Sequence, residues 1–342
     1  MRKGYFFRRR KYVIICIILC LLVTCLCLFE MSYGKTTYSI PYIFKVLGSS
    51  QAMEGDFTIR TLRFPRVLAG LLTGMAFGMA GNTFQKLLRN PLASPDIIGV
   101  TSGASVAAVF GILVLGISGT AVSLMAVISG FAVTCFIYMA SGGSRHNGLH
   151  FNGGRLILIG IGVQAFLNAI ISWMLLKTSE YNVAAALRWL SGNLNDVSME
   201  RIPILGFILA VAGTGILLLN RQLQVMQLGE EFSYSLGTKP ETVRLLLMLC
   251  ALFLTAFATA VSGPIASVAF LSGPIARRVT GDGRGNMMAS AFTGAILVLL
   301  ADIVGQYALP ARYPVGVITG IMGAPYLLIL LLRMNGKGVS ES

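Results

Sequence analysis

The 342-residue sequence contains little charge and almost no histidine. Charged residues form 12% of the chain and hydrophobic residues 55%, whereas a soluble domain carries about 25% charged residues. The mean hydropathy is +0.77. This balance excludes an ordinary soluble globular protein and predicts an integral membrane protein.

Catalytic and nucleotide-binding patterns are also missing. The sequence has no phosphate loop of the G-x-x-x-x-G-K type, so we do not expect this chain to hydrolyse nucleotides. The two histidines, His146 and His150 in "HNGLH", have no acidic residue nearby, and they make a poor metal site. We therefore predict no catalytic residues, no metal and no cofactor.

The six cysteines all lie within apolar runs, where they are expected to act as small hydrophobic residues. Four of them fall in the N-terminal stretch "RRRKYVIICIILCLLVTCLCLF". This stretch begins like a signal peptide, but its apolar run is long and no small-x-small cleavage site follows. It is better interpreted as a retained first transmembrane helix.

Long apolar runs recur along the rest of the chain. A transmembrane helix needs roughly 20 apolar residues, and this rule predicts an all-α, polytopic protein with about ten spans. They are placed at 12–29, 66–86, 97–116, 120–140, 156–176, 202–220, 242–262, 264–280, 287–307 and 314–333.

The basic residues predict the orientation of these spans. The net charge is +14, and roughly two thirds of the Lys and Arg residues fall on the side that carries both termini. Both termini are therefore predicted to be cytoplasmic. The positive charge is explained by orientation in a lipid membrane, and no nucleic-acid partner is expected.

The second span carries four glycines on one helical face, Gly70, Gly74, Gly78 and Gly81. Faces of small residues let helices approach closely in lipid. We predict that this face packs against a neighbouring helix.

Few polar residues interrupt the spans. Gly160, Gln164 and Asn168 form one stripe in the fifth span, which suits either a water-filled route or an interhelical hydrogen bond. Asp302 is the one acid within a predicted span, and it should find a partner or face a cavity. One acid without intramembrane histidine or lysine argues against a proton relay.

Two further segments are candidates for contacts with other proteins. Arg60, Arg63 and Arg66 recur every third residue at the outer end of the second span, which suits carboxylates on a partner or lipid headgroups. On the inner side, an amphipathic helix in 221–240 would place Leu228, Phe232 and Leu236 on one face. Such a face could dock on a cytoplasmic protein.

The polar stretch "RNPLASPD" at 89–96 predicts a cytoplasmic hairpin between the second and third spans. Asn90 and Pro91 stop one helix, whereas Ser94, Pro95 and Asp96 suit the start of the next. The local chemistry requires only a turn, although contact with a cytoplasmic partner is a second interpretation.

Several ordered motifs make the chain resemble the FecCD-type permeases of bacterial ABC importers for iron-siderophore, haem and cobalamin. They are "LRFPRVLAGLLTGMAFGMAG", "LLRNPLASPDIIGVTSGAS", "RWLSGNL", "LGEEFSYSLG", "AVSGPIASVAFLSGPIARR" and "ADIVGQY" followed by "PVGVITGIMGAPYLLILLLR". The resemblance implies a type II ABC importer permease in the bacterial cytoplasmic membrane. It also implies a second permease subunit, identical or paralogous, two copies of a cytoplasmic ATPase, and an extracytoplasmic substrate-binding protein.

The same resemblance assigns roles to individual positions. Arg63 and Arg66 match arginines that meet glutamates of the binding protein, and Arg60 and Arg312 would join that surface. The fifth and last helices would border the translocation route. The coupling segment on the ATPase would comprise Leu228, Gly229, Glu230, Glu231, Leu236 and Gly237, and the last helix would contribute Gly316, Thr319 and Gly320 to the route.

Two positions depart from the family pattern. Pro274 stands where a histidine is common, and Gln306 stands where an arginine is frequent. The second departure weakens the case for a full set of outer arginines, although Arg312 lies nearby and could substitute.

The expected function is import of an iron-siderophore complex by alternating access, with cobalamin or haem import as the alternative. A secondary transporter would need energy-coupling groups that the sequence does not offer. We predict one permease domain over 1–342, with a short N-terminal segment at 1–11, the coupling segment at 221–240 and a cytoplasmic tail at 334–342.

Overall fold

The protein is described by a computed structural model that covers residues 2–49, 51, 53–142, 153–178, 180–281 and 286–338. Within these ranges the chain is helical and contains no strand. The histidine pair His146 and His150 lies outside the described residues. The prediction of an all-α fold is confirmed.

Thirteen α-helices occur in the described ranges, and each predicted span coincides with one of them. The helices are α1 (Arg2–Ser32), α2 (Ile40–Gly48), α3 (Phe64–Leu87), α4 (Val100–Leu113), α5 (Thr120–Ser141), α6 (Gly153–Lys177), α7 (Glu180–Leu190), α8 (Ile202–Met226), α9 (Glu230–Ser235), α10 (Pro240–Ser262), α11 (Val268–Thr280), α12 (Met287–Ile303) and α13 (Val315–Gly338).

Seven helical segments of the described chain are long and apolar enough to cross a membrane. They are Arg10–Ser32, Phe57–Leu87, Thr120–Ser141, Gly153–Lys177, Met199–Met226, Pro240–Ser262 and Met287–Ala308. The 14-residue α4 and the 13-residue α11 rise only about 20 Å at 1.5 Å per residue. They are too short to cross alone a hydrocarbon core of about 30 Å, so the count of ten spans is approximate.

Two segments that were predicted to lie outside the spans belong wholly or partly to helices. Residues 2–11 are not a separate segment, because α1 begins at Arg2. The α8 helix extends through Met226 into the predicted coupling segment. In both places no proline separates the apolar run from the neighbouring basic residues, so the helix continues beyond the apolar part.

Helix α3 is the centre of the bundle and packs against α8, α10, α11 and α12. Its glycine face allows the predicted close approach. A Cβ atom on Gly74 would lie 2.6 Å from the Cα atom of Ala295, and one on Gly78 would overlap the carbonyl oxygen of Ser290, both in α12. Because glycine has no Cβ, the α3 and α12 backbones can touch here.

The bundle has two ends that carry different features. We call them the α2 end, where α2 packs beside the start of α3, and the α9 end, where α9 follows α8. Helix α3 runs from the α2 end to the α9 end, and the following helices alternate in direction. The "RNPLASPD" hairpin therefore lies at the α9 end.

The hairpin confirms the predicted cap with one shift in position. The backbone N–H of Asp96 donates to Ser94 Oγ (3.3 Å), and Pro95–Ile98 forms a 3-10 turn. Gly99 has a left-handed backbone with φ of 74°, which ends this turn, and α4 begins only at Val100. The predicted third span therefore starts three residues too early.

Candidate functional site

A buried ion pair joins α3 and α12 at the α2 end. Both Arg66 nitrogens that face α12 donate to Asp302, with Nε to Oδ2 at 2.7 Å and Nη2 to Oδ1 at 2.6 Å. The Asp302 side chain is 1% exposed and that of Arg66 12%. This two-point geometry is the strongest form of arginine–carboxylate contact. The prediction that Asp302 finds a partner is confirmed.

Three other side chains complete this cluster. Gln306 Nε2 donates to Asp302 Oδ2 (2.6 Å), and Arg66 Nη1 donates to Asn195 Oδ1. Glu30 in α1 is buried, and its Oε1 lies 3.9 Å from Arg66 Nε. The cluster thus ties α1, α3, α12 and the segment after α7 together at one end of the bundle.

Short π-helical segments flank the ion pair on both helices. Phe57–Arg63 precedes α3 and Val304–Ala308 follows α12. Such segments are rare and often occur at functional sites. A π-helix has more residues per turn than an α-helix, so residues three apart are rotated differently around the helix axis. The spacing of three therefore does not place Arg60, Arg63 and Arg66 on one exposed rim.

The predicted docking arginines mostly have partners within the chain. Arg63 donates to the carbonyl oxygens of Met31 (2.8 Å), Ser32 (3.1 Å) and Thr36 (2.6 Å). Arg60 Nε pairs with Asp56 Oδ1 (2.7 Å), and Arg60 Nη2 donates to the carbonyl oxygens of Val46 and Ser49 at the end of α2. Arg312 is exposed. Of these arginines, Arg312 is the one placed most openly for a partner.

A polar pocket at the α2 end was not predicted from the sequence. It has a volume of about 270 Å³ and is lined by Arg188, Trp189, Asp196 and Arg201, among others. Arg188 and Trp189 belong to "RWLSGNL", which sequence reasoning used only as a family motif. The adjacent arginine and tryptophan near the end of an apolar run are the feature of the sequence that could have indicated this pocket.

The predicted coupling segment forms an exposed apolar surface at the α9 end. Leu228, Phe232 and Leu236 are 67%, 66% and 63% exposed, although α9 itself covers only Glu230–Ser235. Gly237 follows with φ of 76°, as expected of a residue that ends a helix.

Ser233 holds this segment onto the bundle. The side chain is fully buried, and its Oγ donates to the carbonyl oxygens of Gly229 (2.7 Å) and Val225 (3.2 Å). Thr238 Oγ1 in turn donates to the carbonyl oxygen of Ser233 (2.6 Å). These hydrogen bonds therefore hold the segment against the end of α8, while its apolar side chains remain exposed.

The predicted route residues of α6 differ from one another in exposure. Gly160 is buried where a Cβ would overlap the carbonyl oxygen of Ile97, so it is required for packing against the 95–98 turn. Gln164 is half-buried and Asn168 is exposed. The stripe thus runs from the packed interior of the chain to its surface.

The predicted route residues of α13 pack against loops at the α2 end. Gly316 lies against the carbonyl oxygens of Ser191 and Pro264, and Thr319 is buried with its Oγ1 donating to the Gly316 carbonyl (3.1 Å). Gly320 is more open. Since α13 packs on α11 and α12, while α6 packs on α4 and α5, the two helices have different neighbours within the chain.

The described residues contain no group of three or more His, Cys, Asp or Glu side chains that could hold a metal ion. The bundle of long apolar helices is the architecture of a multi-pass membrane protein. The chain belongs to the FecCD transport family, whose sequence model matches residues 19–333. It is thus a permease rather than an enzyme.

Individual relatives agree with this assignment. The chain is 35% identical over 330 residues to the ferric enterobactin transport system permease protein FepG of Escherichia coli (strain K12), covering 94% of this chain and 97% of FepG. It is 34% identical over 293 residues to the ferric enterobactin transport system permease protein FepD of the same organism, covering 85% and 86%.

A solved structure shares the fold. A metal-chelate type ABC transporter in an inward-facing conformation superposes with a TM-score of 0.79 at 24% identity, covering 94% of this chain and 99% of the other. At this identity the similarity establishes the common architecture only.

Proposed function

We propose that this chain is the membrane permease of an ATP-driven ABC importer that moves an iron-siderophore complex across the cytoplasmic membrane. The observation that carries the proposal is similarity along almost the whole chain to permeases named for ferric enterobactin transport. Transport would proceed by alternating access, driven by a separate ATPase subunit. Cobalamin and haem are the alternative cargoes within the same architecture.

The α9 end is proposed to face the cytoplasm. Support comes from basic residues near the ends of three helices: Arg89 follows α3, Arg221 lies in the last turns of α8 and Arg278 in the last turn of α11. Basic residues accumulate on the cytoplasmic side of membrane proteins. Both termini would then be cytoplasmic, since α1 begins and α13 ends at the α9 end.

The exposed coupling segment is proposed to dock on the ATPase. Its three apolar side chains, Leu228, Phe232 and Leu236, suit a hydrophobic groove. Because Ser233 and Thr238 fasten the segment to α8, movement of a docked ATPase would pass directly to that helix. Two ATPase copies would serve two permease subunits.

The α2 end is proposed to receive an extracytoplasmic substrate-binding protein. Arg312 is exposed there, and Arg188 is exposed at the mouth of the 270 Å³ pocket. Both suit carboxylates on a partner. We do not assign Arg66 to this surface, because its guanidinium is committed to Asp302 and Asn195, and Arg63 and Arg60 serve mainly to hold the chain together.

A second permease subunit, identical or paralogous, is proposed to complete the translocation route. The exposed amide of Asn168 in α6 and the half-buried Gln164 would face that route or the partner subunit. FepG and FepD are two different permeases that bear the name of one transport system, which favours a paralogous partner.

Uptake by cells that lack only this permease tests the proposal. Radiolabelled ferric siderophores, cobalamin and haem are supplied separately, and uptake is compared with and without the restored gene. We expect restored uptake for a ferric siderophore. Restoration for cobalamin or haem alone would select the alternative cargo, and no dependence on the gene for any of them would reject the proposal.

A further inference from the structure

A polar cavity of about 540 Å³ lies at the α9 end, between the end of α3, the end of α8 and the end of α11. Its size falls within the range of small-molecule sites. The cavity is open on one side, and residues from all three helix ends line it.

The cavity is strongly basic. Three of its ten lining residues are the cations Lys86, Arg89 and Arg277, five are Asn or Gln, and none is acidic. All ten lie in the described part of the chain. Lys86 and Arg277 repel each other electrostatically, and Lys86 is half-buried in the bundle. An anion between these groups would relieve that repulsion in a medium of low dielectric.

The walls of the cavity are fixed before any ligand arrives. Arg89 Nη2 donates to the carbonyl oxygen of Met226 at the end of α8 (2.7 Å), which leaves its other N–H groups for a ligand. Gln85 Nε2 donates to the carbonyl oxygen of Phe270 in α11 (2.8 Å). A preformed set of donors reduces the entropy lost on binding.

The backbone of two residues that line the cavity has an unusual conformation. Among non-glycine residues of the described chain, three have a left-handed backbone, and two of them, Arg89 (φ 50°) and Asn286 (φ 45°), line the cavity. Such conformations cost energy and cluster at ligand sites and switch regions.

We propose that this cavity binds a phosphate-type anion. Arginine and lysine together are the usual partners of phosphate oxygens, and basic pockets between transmembrane helices on the cytoplasmic side accept phospholipid headgroups. The same chemistry is offered by the headgroup of an anionic lipid and by free phosphate. The proposed site is inferred from the geometry and charge of the cavity, and it does not depend on which cargo the permease moves.

Bound phosphate would link the end of α3 to the start of the coupling segment, next to the hydrogen bond from Arg89 to Met226 of α8. Lys86 and Arg89 belong to α3 and its hairpin, whereas Leu228 on the opposite wall begins the coupling segment. Occupancy would brace the coupling segment against α3.

The full-length chain, purified with its co-expressed subunits, tests the site. One arm measures retention of phosphatidylglycerol against phosphatidylcholine by native mass spectrometry, and a second measures the shift of the thermal midpoint with inorganic phosphate. We expect at least one probe to bind the wild type, and to bind Lys86→Gln/Arg277→Gln about tenfold more weakly through loss of charge-assisted contacts.

Three further variants make the outcome decisive. Arg278→Gln removes the exposed cation next to Arg277 and should bind as the wild type does, and Arg277→Lys should retain most of the affinity. Arg277→Gln alone serves if the double variant does not fold. Retention of phosphatidylglycerol alone identifies a lipid as the source, and binding of inorganic phosphate identifies the free anion. Absence of both in the wild type, or equal losses in Arg278→Gln and Arg277→Gln, would overturn the proposal.

Discussion

Arg66 and Asp302 are 236 residues apart in the sequence and meet through two hydrogen bonds of 2.7 and 2.6 Å in the interior of the bundle. Arg66 lies in the first turn of the central helix α3, and Asp302 lies in the last turn of α12. Their contact fixes the two most closely packed helices of the protein at the α2 end, as the glycine face of α3 does along their length.

Breaking this pair should strongly destabilise the protein. Removing one partner of a buried ion pair costs about 3–5 kcal/mol, because the other charge stays buried without compensation. We expect Asp302→Asn and Arg66→Met each to lower the thermal midpoint of the purified protein markedly. Arg312→Met, which removes an exposed arginine at the same end, should leave it within error, and equal effects of all three would contradict the account.

The close approach of α3 and α12 predicts a second stability effect. In Gly78→Ala the new Cβ would overlap the carbonyl oxygen of Ser290, and overpacking of this kind costs about 1–3 kcal/mol. Gly162→Ala in α6 is the matched control, since nothing lies within 4 Å of its Cβ position. The control should be neutral or slightly stabilising in a thermal melt. A neutral Gly78→Ala would show that the helices are not packed as described.

The coupling segment should matter for ATPase activity and not for folding. We expect Leu228→Ala and Phe232→Ala to reduce substrate-stimulated ATP hydrolysis by the assembled importer several-fold, because each removes exposed apolar surface from the proposed contact. Leu115→Ala, an exposed leucine in the loop after α4, is the control. If hydrolysis is unchanged in both α9-end variants, the coupling assignment must be abandoned.

The arginines at the α2 end should separate into two groups. Arg63→Glu should destabilise the chain, since three carbonyl oxygens lose their donor. Arg312→Glu should leave the thermal midpoint unchanged and weaken binding of the substrate-binding protein, measured by surface plasmon resonance on the assembled importer. Normal binding by Arg312→Glu would remove Arg312 from the docking surface.

Helix positions could be predicted from the sequence because apolar runs of about 20 residues are a strong local signal. The need of Asp302 for a partner could also be predicted, from the cost of an isolated charge in a membrane. The identity of that partner, Arg66, could not be predicted, since no local sequence pattern relates residues on α3 to residues on α12. Glu30 was missed for a similar reason: it lies one residue past the predicted end of the first span, where an acid is unremarkable.

The side-chain directions of Arg60, Arg63 and Arg66 could not be predicted, for a different reason. A spacing of three residues places side chains near one another on an ordinary α-helix. The π-helical segment Phe57–Arg63 changes that relation, and nothing in the sequence announces a π-helix. Arg60 and Arg63 therefore turn toward carbonyl groups around α2, and Arg66 turns toward α12. The basic cavity was missed because Arg277 of α11 is distant in sequence from Lys86 and Arg89 at the end of α3.

The central claim is that this permease moves an iron-siderophore complex only when a partner ATPase hydrolyses ATP. The most direct measurement is accumulation of a radiolabelled ferric siderophore in proteoliposomes containing the complete importer and its binding protein. We predict accumulation with enclosed ATP, and loss of accumulation when the ATPase is inactivated or ATP is replaced by a non-hydrolysable analogue. Accumulation that persists under those conditions would contradict the account and indicate a secondary carrier.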